Sequence, residues 1–313
     1  MWQQVLMALG AGAASAVLFV VPAKGFALAI ALGVLAPLPL LIAALGLAER
    51  LGVAAVAMGG LVIGFLIEPY AAGIYLLSVG APALVLGFMA RRPPYGEPGT
   101  LLLTIAVCAT LAAWTGVGVV AFRYASLDAA LEDLTTQLLP LAKSMIEATD
   151  AVSGGIDPRD FTRWVVLGMV PAAAAWGVCA LCLNLWLGGR VANISGMLPR
   201  PWPDLPATLR LPRLAFALVG IALAACLAPG LIRLLAATAL TALLLAFTVQ
   251  GLATLHAMTR GRPARPAILA GFYALSLALF PWPLLLAAGL GLTDVARPLP
   301  RGATVPKPPL NKI

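Results

Sequence analysis

The sequence predicts an all-α, polytopic transmembrane helix bundle of eight to nine apolar segments, with one amphipathic helix outside the membrane. Three observations predict it. Of 313 residues, 62% are hydrophobic and 10% are charged, whereas a soluble domain carries roughly 25% charged residues. Mean hydropathy is +1.00. The apolar residues also fall in long blocks, comparable with the ~20 residues that a helix needs to cross a bilayer core. The net charge of +8 does not point to nucleic acid. Its Arg and Lys residues sit between apolar blocks, where such residues orient spans and meet anionic lipid. The partner implied by composition is the lipid bilayer. Arg outnumbers Lys and Ala is abundant, a bias of GC-rich bacterial genomes, so the expected location is the inner membrane, multi-pass.

Nine blocks can be justified in order, at 5–21, 26–48, 51–67, 71–90, 101–122, 164–187, 214–228, 231–257 and 268–292. The first opens as "MWQQVLMALG", without a basic n-region, and reads as a retained helix. Its Ala8, Gly12 and Ala16 form a small-residue ridge suited to close helix contact, either inside the bundle or with a separate membrane subunit. The second contains Pro37 and Pro39. The third ends at Glu68. The fifth is interrupted by Trp114, and the sixth holds Asn184 deep within it. The eighth carries Gln250 and the lone His256, and the ninth Tyr273 and Pro281. Blocks three and seven are short, as tilted or re-entrant segments would be.

Loops set the orientation. Arg91 and Arg92, then Arg190, Arg200, Arg210 and Arg213, then Arg260, Arg262 and Arg265 fall on one side, which is cytoplasmic by the positive-inside rule. Nine crossings would place the basic tail outside, against that rule, while eight would bring it inside. Residues 1–292 are expected to form one bundle and 293–313 a disordered tail. Within the bundle, 126–160 is an outer-face amphipathic helix and loop, and 189–213 a cytoplasmic loop rich in Pro and Arg. In the outer segment Leu127, Leu131, Leu134, Leu138, Leu141 and Met145 lay one apolar stripe along a helix. Ser126 is placed to cap it, and Pro140 to kink or restart it.

Pro37 and Pro39 cannot donate backbone hydrogen bonds, so they free carbonyls near Gly33 and Leu35 close to the bilayer midplane. In lipid such groups must find protein partners or line a wet cavity. "PLPLLIAALGL" at 37–47 is echoed by "PWPLLLAAGLGL" at 281–292. Interrupted spans in two halves of a chain point to midplane binding sites in transporters. Polar groups in spans are costly and are either paired or functional. The candidate ligand-binding residues are therefore Pro37, Pro39, Glu68, Trp114, Asn184, Gln250, Tyr273 and Pro281.

Catalysis is not expected. His256 has no triad partners, no metal-ligand cluster or cofactor motif is present, and Cys179 and Cys182 form a CxxC without a second pair. No Walker A motif occurs.

The Pro37-Leu38-Pro39-Leu40-Leu41 span, the short helices after it and the helix following the fifth block resemble the YybS-like bacterial membrane proteins, a family of unknown function. That family is distantly similar to the S components of energy-coupling-factor transporters. The resemblance implies a small-molecule substrate held in the bundle and a membrane coupling subunit with ATPases. That subunit would dock on a ridge at the spacing of Ala8, Gly12 and Ala16. The alternative is a membrane scaffold or assembly factor without a small-molecule ligand.

Overall fold

The computed structural model describes residues 2–25, 27–124, 126–148, 157–198 and 203–299. Arg200 and the expected disorder of residues 300–313 lie outside the described residues. In chain order the helices are α1 (Trp2–Val20), α2 (Ala27–Val34), α3 (Pro37–Gly46), α4 (Glu49–Leu66), α5 (Pro69–Tyr75), α6 (Ala81–Arg91), α7 (Pro98–Arg123), α8 (Leu127–Ala148) and α9 (Pro158–Ile194). They continue with α10 (Leu205–Thr208), α11 (Leu214–Ala225), α12 (Gly230–Met258), α13 (Arg265–Ala278) and α14 (Trp282–Ala296). A π turn, Leu76–Gly80, joins α5 to α6.

Among the described residues, seven helical stretches are long and apolar enough to span a bilayer: α1, α2–α3 taken together, α4, α5–α6, α7, α9 and α12. They account for the first six sequence blocks and the eighth. Proline opens α3, α5, α7 and α9, where its missing N–H would have no helical partner anyway. The 37 residues of α9 make a rod of about 55 Å. This rod is the axis of the molecule, touching α7, α12 and α3 along its length and α8 at its start.

The ridge on α1 faces inward. Ala8 and Ala16 are buried against the core, and a Cβ on Gly12 would lie 2.2 Å from the Ala55 carbonyl oxygen of α4. The expectation that Ala8, Gly12 and Ala16 dock a separate subunit is corrected accordingly: their close-contact surface is occupied by α4.

Helix α8 runs antiparallel to the first turns of α9. Glu132 pairs with Arg159, and Asp128 lies 3.9 Å from Arg163. Ser126 Oγ accepts the Ala129 N–H at 3.1 Å, as a cap. The helix does not restart at Pro140, and α8 passes through it. Leu131 is buried in the stripe while Leu141 is exposed.

The seventh and ninth blocks differ from simple spans. Helix α11 has 12 residues, about 18 Å, short of the ~30 Å hydrocarbon core. The segment before it continues along α12, with Asp204 paired to Arg260 and the Leu211 N–H bonded to Gln250, and Phe216 of α11 packs on Phe247 with the rings tilted by 44°. The ninth block is a hairpin. Helix α13 leaves the basic end of α12, and α14 returns parallel to α12, with Thr248 bonded to the Leu284 carbonyl and Gln250 to Asp294. Helices of 14 and 15 residues rise only about 21–22 Å each, so the pair enters and leaves by one face. Past the end of α14, the Leu299 carbonyl accepts from Arg210 of the basic segment before α11 at 3.4 Å. The echo of "PWPLLLAAGLGL" thus sits at a hairpin tip. The expected tail is also shortened, because α14 continues to Ala296 and Asp294 is fully buried.

This arrangement predicts the labelling of single cysteines in oriented vesicles. Arg262→Cys and Arg297→Cys should react with an impermeant maleimide from the same side, and Asp128→Cys from the opposite side. Labelling of Arg262→Cys and Arg297→Cys from opposite sides would refute the hairpin.

Candidate functional site

At the break between α2 and α3, the carbonyls that the prolines deprive of donors turn to local partners. Gly33 accepts from the Ala36 N–H at 3.1 Å and Leu35 from the Leu38 N–H at 3.0 Å. Leu38 would otherwise bond Val34 in a regular helix. Val34 instead accepts from Asn184 Nδ2 of α9 at 2.7 Å. The Ala36 carbonyl accepts from Ser15 Oγ of α1 at 2.6 Å, and Ser15 accepts from the buried Tyr75 hydroxyl of α5 at 2.9 Å. Four spans thus meet in one polar knot. Asn184 also donates to its own helix at Ala180, 2.7 Å, and its Oδ1 is buried without a protein partner.

A second polar cluster stands where α12, α14 and the segment before α11 converge. Gln250 is fully buried. Its Oε1 accepts the Leu211 N–H at 2.7 Å and its Nε2 donates to Asp294 at 2.9 Å. Thr254 donates to the same carboxylate at 3.2 Å, and the other oxygen accepts the Leu299 N–H at 2.9 Å. Gln250 therefore closes an irregular backbone segment at depth.

The remaining sequence candidates are dispersed. Pro37 is buried and Pro39 half-buried within α3, while Glu68 is exposed in the turn between α4 and α5. Trp114 donates to the Leu235 carbonyl of α12 at 3.3 Å. Tyr273 of α13 bonds His256 at 2.8 Å, and Pro281 is exposed at the hairpin tip. Asn184 alone joins the Pro37–Pro39 break. Helix α3 packs on α1, α4, α6 and α9, and α14 on α12 and α13, so the two proline motifs belong to separate interfaces.

Space is found elsewhere. A cavity of about 290 Å³ opens at the basic ends of α3, α6, α7 and α9, walled by Leu102, Cys182, Trp186 and Leu209, with Arg91 and Glu97 at its lining. Arg91 donates to the Leu47 carbonyl and, at 3.4 Å, to that of Ala44. It thereby caps the last turn of α3, where cations are favoured. The Arg190 guanidinium lies 5.9 Å from the centre of the Trp186 ring, within cation–π range. Below the cavity Asp204 and Arg260 form two bonds of 2.6 Å. Arg260 holds the Asp204 carboxyl below its ordinary range. A lowered folded-state value means that the pair's contribution is present above the unfolded carboxylate value and lost as pH falls through the lowered one. It is therefore intact at neutral and mildly acidic pH.

A second space of about 420 Å³ lies between α7, α11 and α12, lined by Trp114 and aliphatic side chains such as Leu218 and Leu243. It borders the opposite side of α7. Among the described residues no group of three or more His, Cys, Asp or Glu could hold a metal ion.

Sequence reasoning missed Arg91, Ser15, Tyr75 and Asp294. For Asp294 the signal was present, an acid two residues past an apolar block in "GLTDVA".

Replacing Asn184 with Leu leaves the Val34 carbonyl unpaired among hydrocarbon. Single interhelical hydrogen bonds in membranes average about 0.6 kcal/mol, but an abandoned buried partner costs about 1–3 kcal/mol. Unfolding in mixed micelles should therefore show a loss of about 1–2 kcal/mol for Asn184→Leu. An unchanged unfolding free energy would remove the knot's structural role.

Neither a curated protein nor a solved structure matches the chain. A family profile described as a predicted membrane protein matches residues 13–295, and the apolar spans just described agree with that description. The chain belongs to the DUF2232 family of membrane proteins.

Proposed function

We propose that this protein is a multi-pass component of the bacterial inner membrane that binds a small amphiphilic molecule in the cavity on its basic face. The observation that carries the reading is the character of that cavity. Its walls are largely apolar, with a few convergent polar groups from Arg91, Glu97 and Trp186. Ligand pockets have this composition, and about 290 Å³ falls at the small end of their usual ~300–1,000 Å³. An apolar body would lie against Leu102, Ile105 and Leu185, leaving a polar head near Arg91 and Glu97. The reading assigns binding and not catalysis to these residues. If the bound molecule is moved across the membrane, a membrane coupling subunit with ATPases is the partner the reading carries. Such a partner would engage a surface other than the ridge of α1, which α4 covers.

Native mass spectrometry of protein extracted gently from its membranes tests the reading. A retained small molecule is expected in the natural protein, and its loss in Ala90→Trp, which places an indole in the cavity. The same variant should abolish thermal stabilisation by an added extract of membrane amphiphiles. Absence of a bound mass, together with equal thermal shifts in the two proteins, would overturn the proposal.

A further inference from the structure

Helices α7 and α11 both pack on α12. Toward the basic end, α7 is met by the chain before α11, where a Cβ on Gly99 would lie 1.5 Å from the Arg210 carbonyl oxygen. Beyond that contact the two helices stand apart, and the apolar space of about 420 Å³ lies between them. On α12 its wall runs from Ile232 to Leu243, about 16 Å of helix. That is roughly half of the ~30 Å hydrocarbon core, the share of a single leaflet. The wall begins in the first turn of α12, at the end remote from Arg260.

The space is open sideways and dry. Leu111, Ile221 and Ile232 line it and are exposed, so its gap faces the hydrocarbon of the bilayer. Its two polar side chains are already engaged: Thr110 donates to the Ala106 carbonyl at 2.8 Å and Trp114 to the Leu235 carbonyl at 3.3 Å. A polar group brought between these walls would lose its water without gaining a partner. The part of an occupant that enters is therefore hydrocarbon.

A cation stands where the space begins. Arg233 follows Ile232, and its Nε donates to the Ala228 carbonyl at 3.2 Å, in the turn that joins α11 to α12. The side chain is exposed and pairs with no carboxylate among the described residues. Its remaining N–H groups form a planar donor set suited to a phosphate.

We infer that this space holds one acyl chain of an anionic phospholipid, with the lipid phosphate at Arg233. A slot one leaflet deep, without hydrogen-bonding capacity along its walls and with an unpaired guanidinium at one end, matches such a molecule in length, polarity and charge. The site lies on the opposite side of α7 from the cavity of the proposed function and does not rest on that reading.

Trp114 lines the space and reports its contents. Trp2, Trp164, Trp176, Trp186, Trp202 and Trp282 are replaced by Phe, and the protein is placed in phosphatidylcholine vesicles. A fixed fraction of the lipid is brominated on its acyl chains and carries either a phosphatidylglycerol or a phosphatidylcholine head, since bromine quenches an indole that it touches. Brominated phosphatidylglycerol should quench Trp114 more strongly, with a relative affinity about two- to fivefold higher. Arg233→Gln should remove the preference. Arg123→Gln, at the same end of the bundle but outside the space, should keep it. Ala225→Phe, which puts a ring into the space, should reduce quenching by both lipids. Equal quenching by the two heads, a preference that survives Arg233→Gln, or one that Arg123→Gln also removes would overturn the inference. Absence of quenching, as when a helix of another protein or of a second copy fills the gap, would overturn it too. If the single-tryptophan variant does not fold, native mass spectrometry of the natural protein and Arg233→Gln decides. The natural protein should keep a phosphatidylglycerol adduct at collision energies where Arg233→Gln has lost it, and equal retention would overturn the site.

Discussion

Inside a bilayer a backbone carbonyl without a donor has no water to turn to, and each such group costs several kcal/mol. That constraint organises this molecule. Pro37 and Pro39 interrupt the second span, and the interruption survives because Asn184 of α9 and Ser15 of α1 reach the Val34 and Ala36 carbonyls. Tyr75 supports Ser15 from a fourth span. Removing the prolines from the picture removes the reason for these three polar side chains to be buried. Conversely, the Val34 carbonyl, left without the Leu38 N–H, depends on a donor from a helix distant in sequence. The break thus works as a fastener between helices.

The same constraint explains the second irregular segment. Residues 210–212 run against α7 and α12 without helical bonding, and the buried Leu211 N–H is met by Gln250. Gln250 then needs its own amide donor satisfied, which Asp294 does. A carboxylate buried at 0% exposure is tolerable when several groups bond it, and Thr254 and the Leu299 N–H join Gln250 there. One non-helical stretch therefore fixes the end of α14 and the course of the chain beyond it. This is why the final apolar block returns to the end of α12 that it came from, bringing Leu299 beside Arg210.

Much of the fold was legible because hydrophobic blocks, capping residues and charge asymmetry are local signals. Ser126 capping α8 and the single apolar stripe beginning at Leu127 are of that kind. The hairpin was not legible, because residues 268–292 contain enough apolar length for one crossing and only tertiary pairing to α12 shows two half-length helices. The ridge of Ala8, Gly12 and Ala16 was visible as a close-contact surface, but its partner α4 is not encoded in spacing. Asn184 and Gln250 stood out as polar groups in spans. Nothing in one sequence shows that Asn184 meets Val34 across 150 positions or that Gln250 meets Leu211. Arg91 read as an orientation signal, whereas the fold also places it on the α3 carbonyl end and beside the cavity.

The contrast between the proline breaks and the cavity follows from packing. At the break, four spans cross close together and their polar groups are largely consumed by one another, with Asn184 Oδ1 the exception. Little volume is left, since small residues such as Ala8, Ser15 and Ala36 let the backbones approach. At the basic face the situation reverses. Helices α3 and α6 end, α7 begins, and the chain turns through loops that cannot interdigitate as helices do. Side chains as large as Trp186 and Leu209 then bridge gaps instead of filling them, and a space with apolar walls remains. A binding site is therefore favoured where helices stop, and the interrupted helices in mid-membrane serve to hold those ends in register.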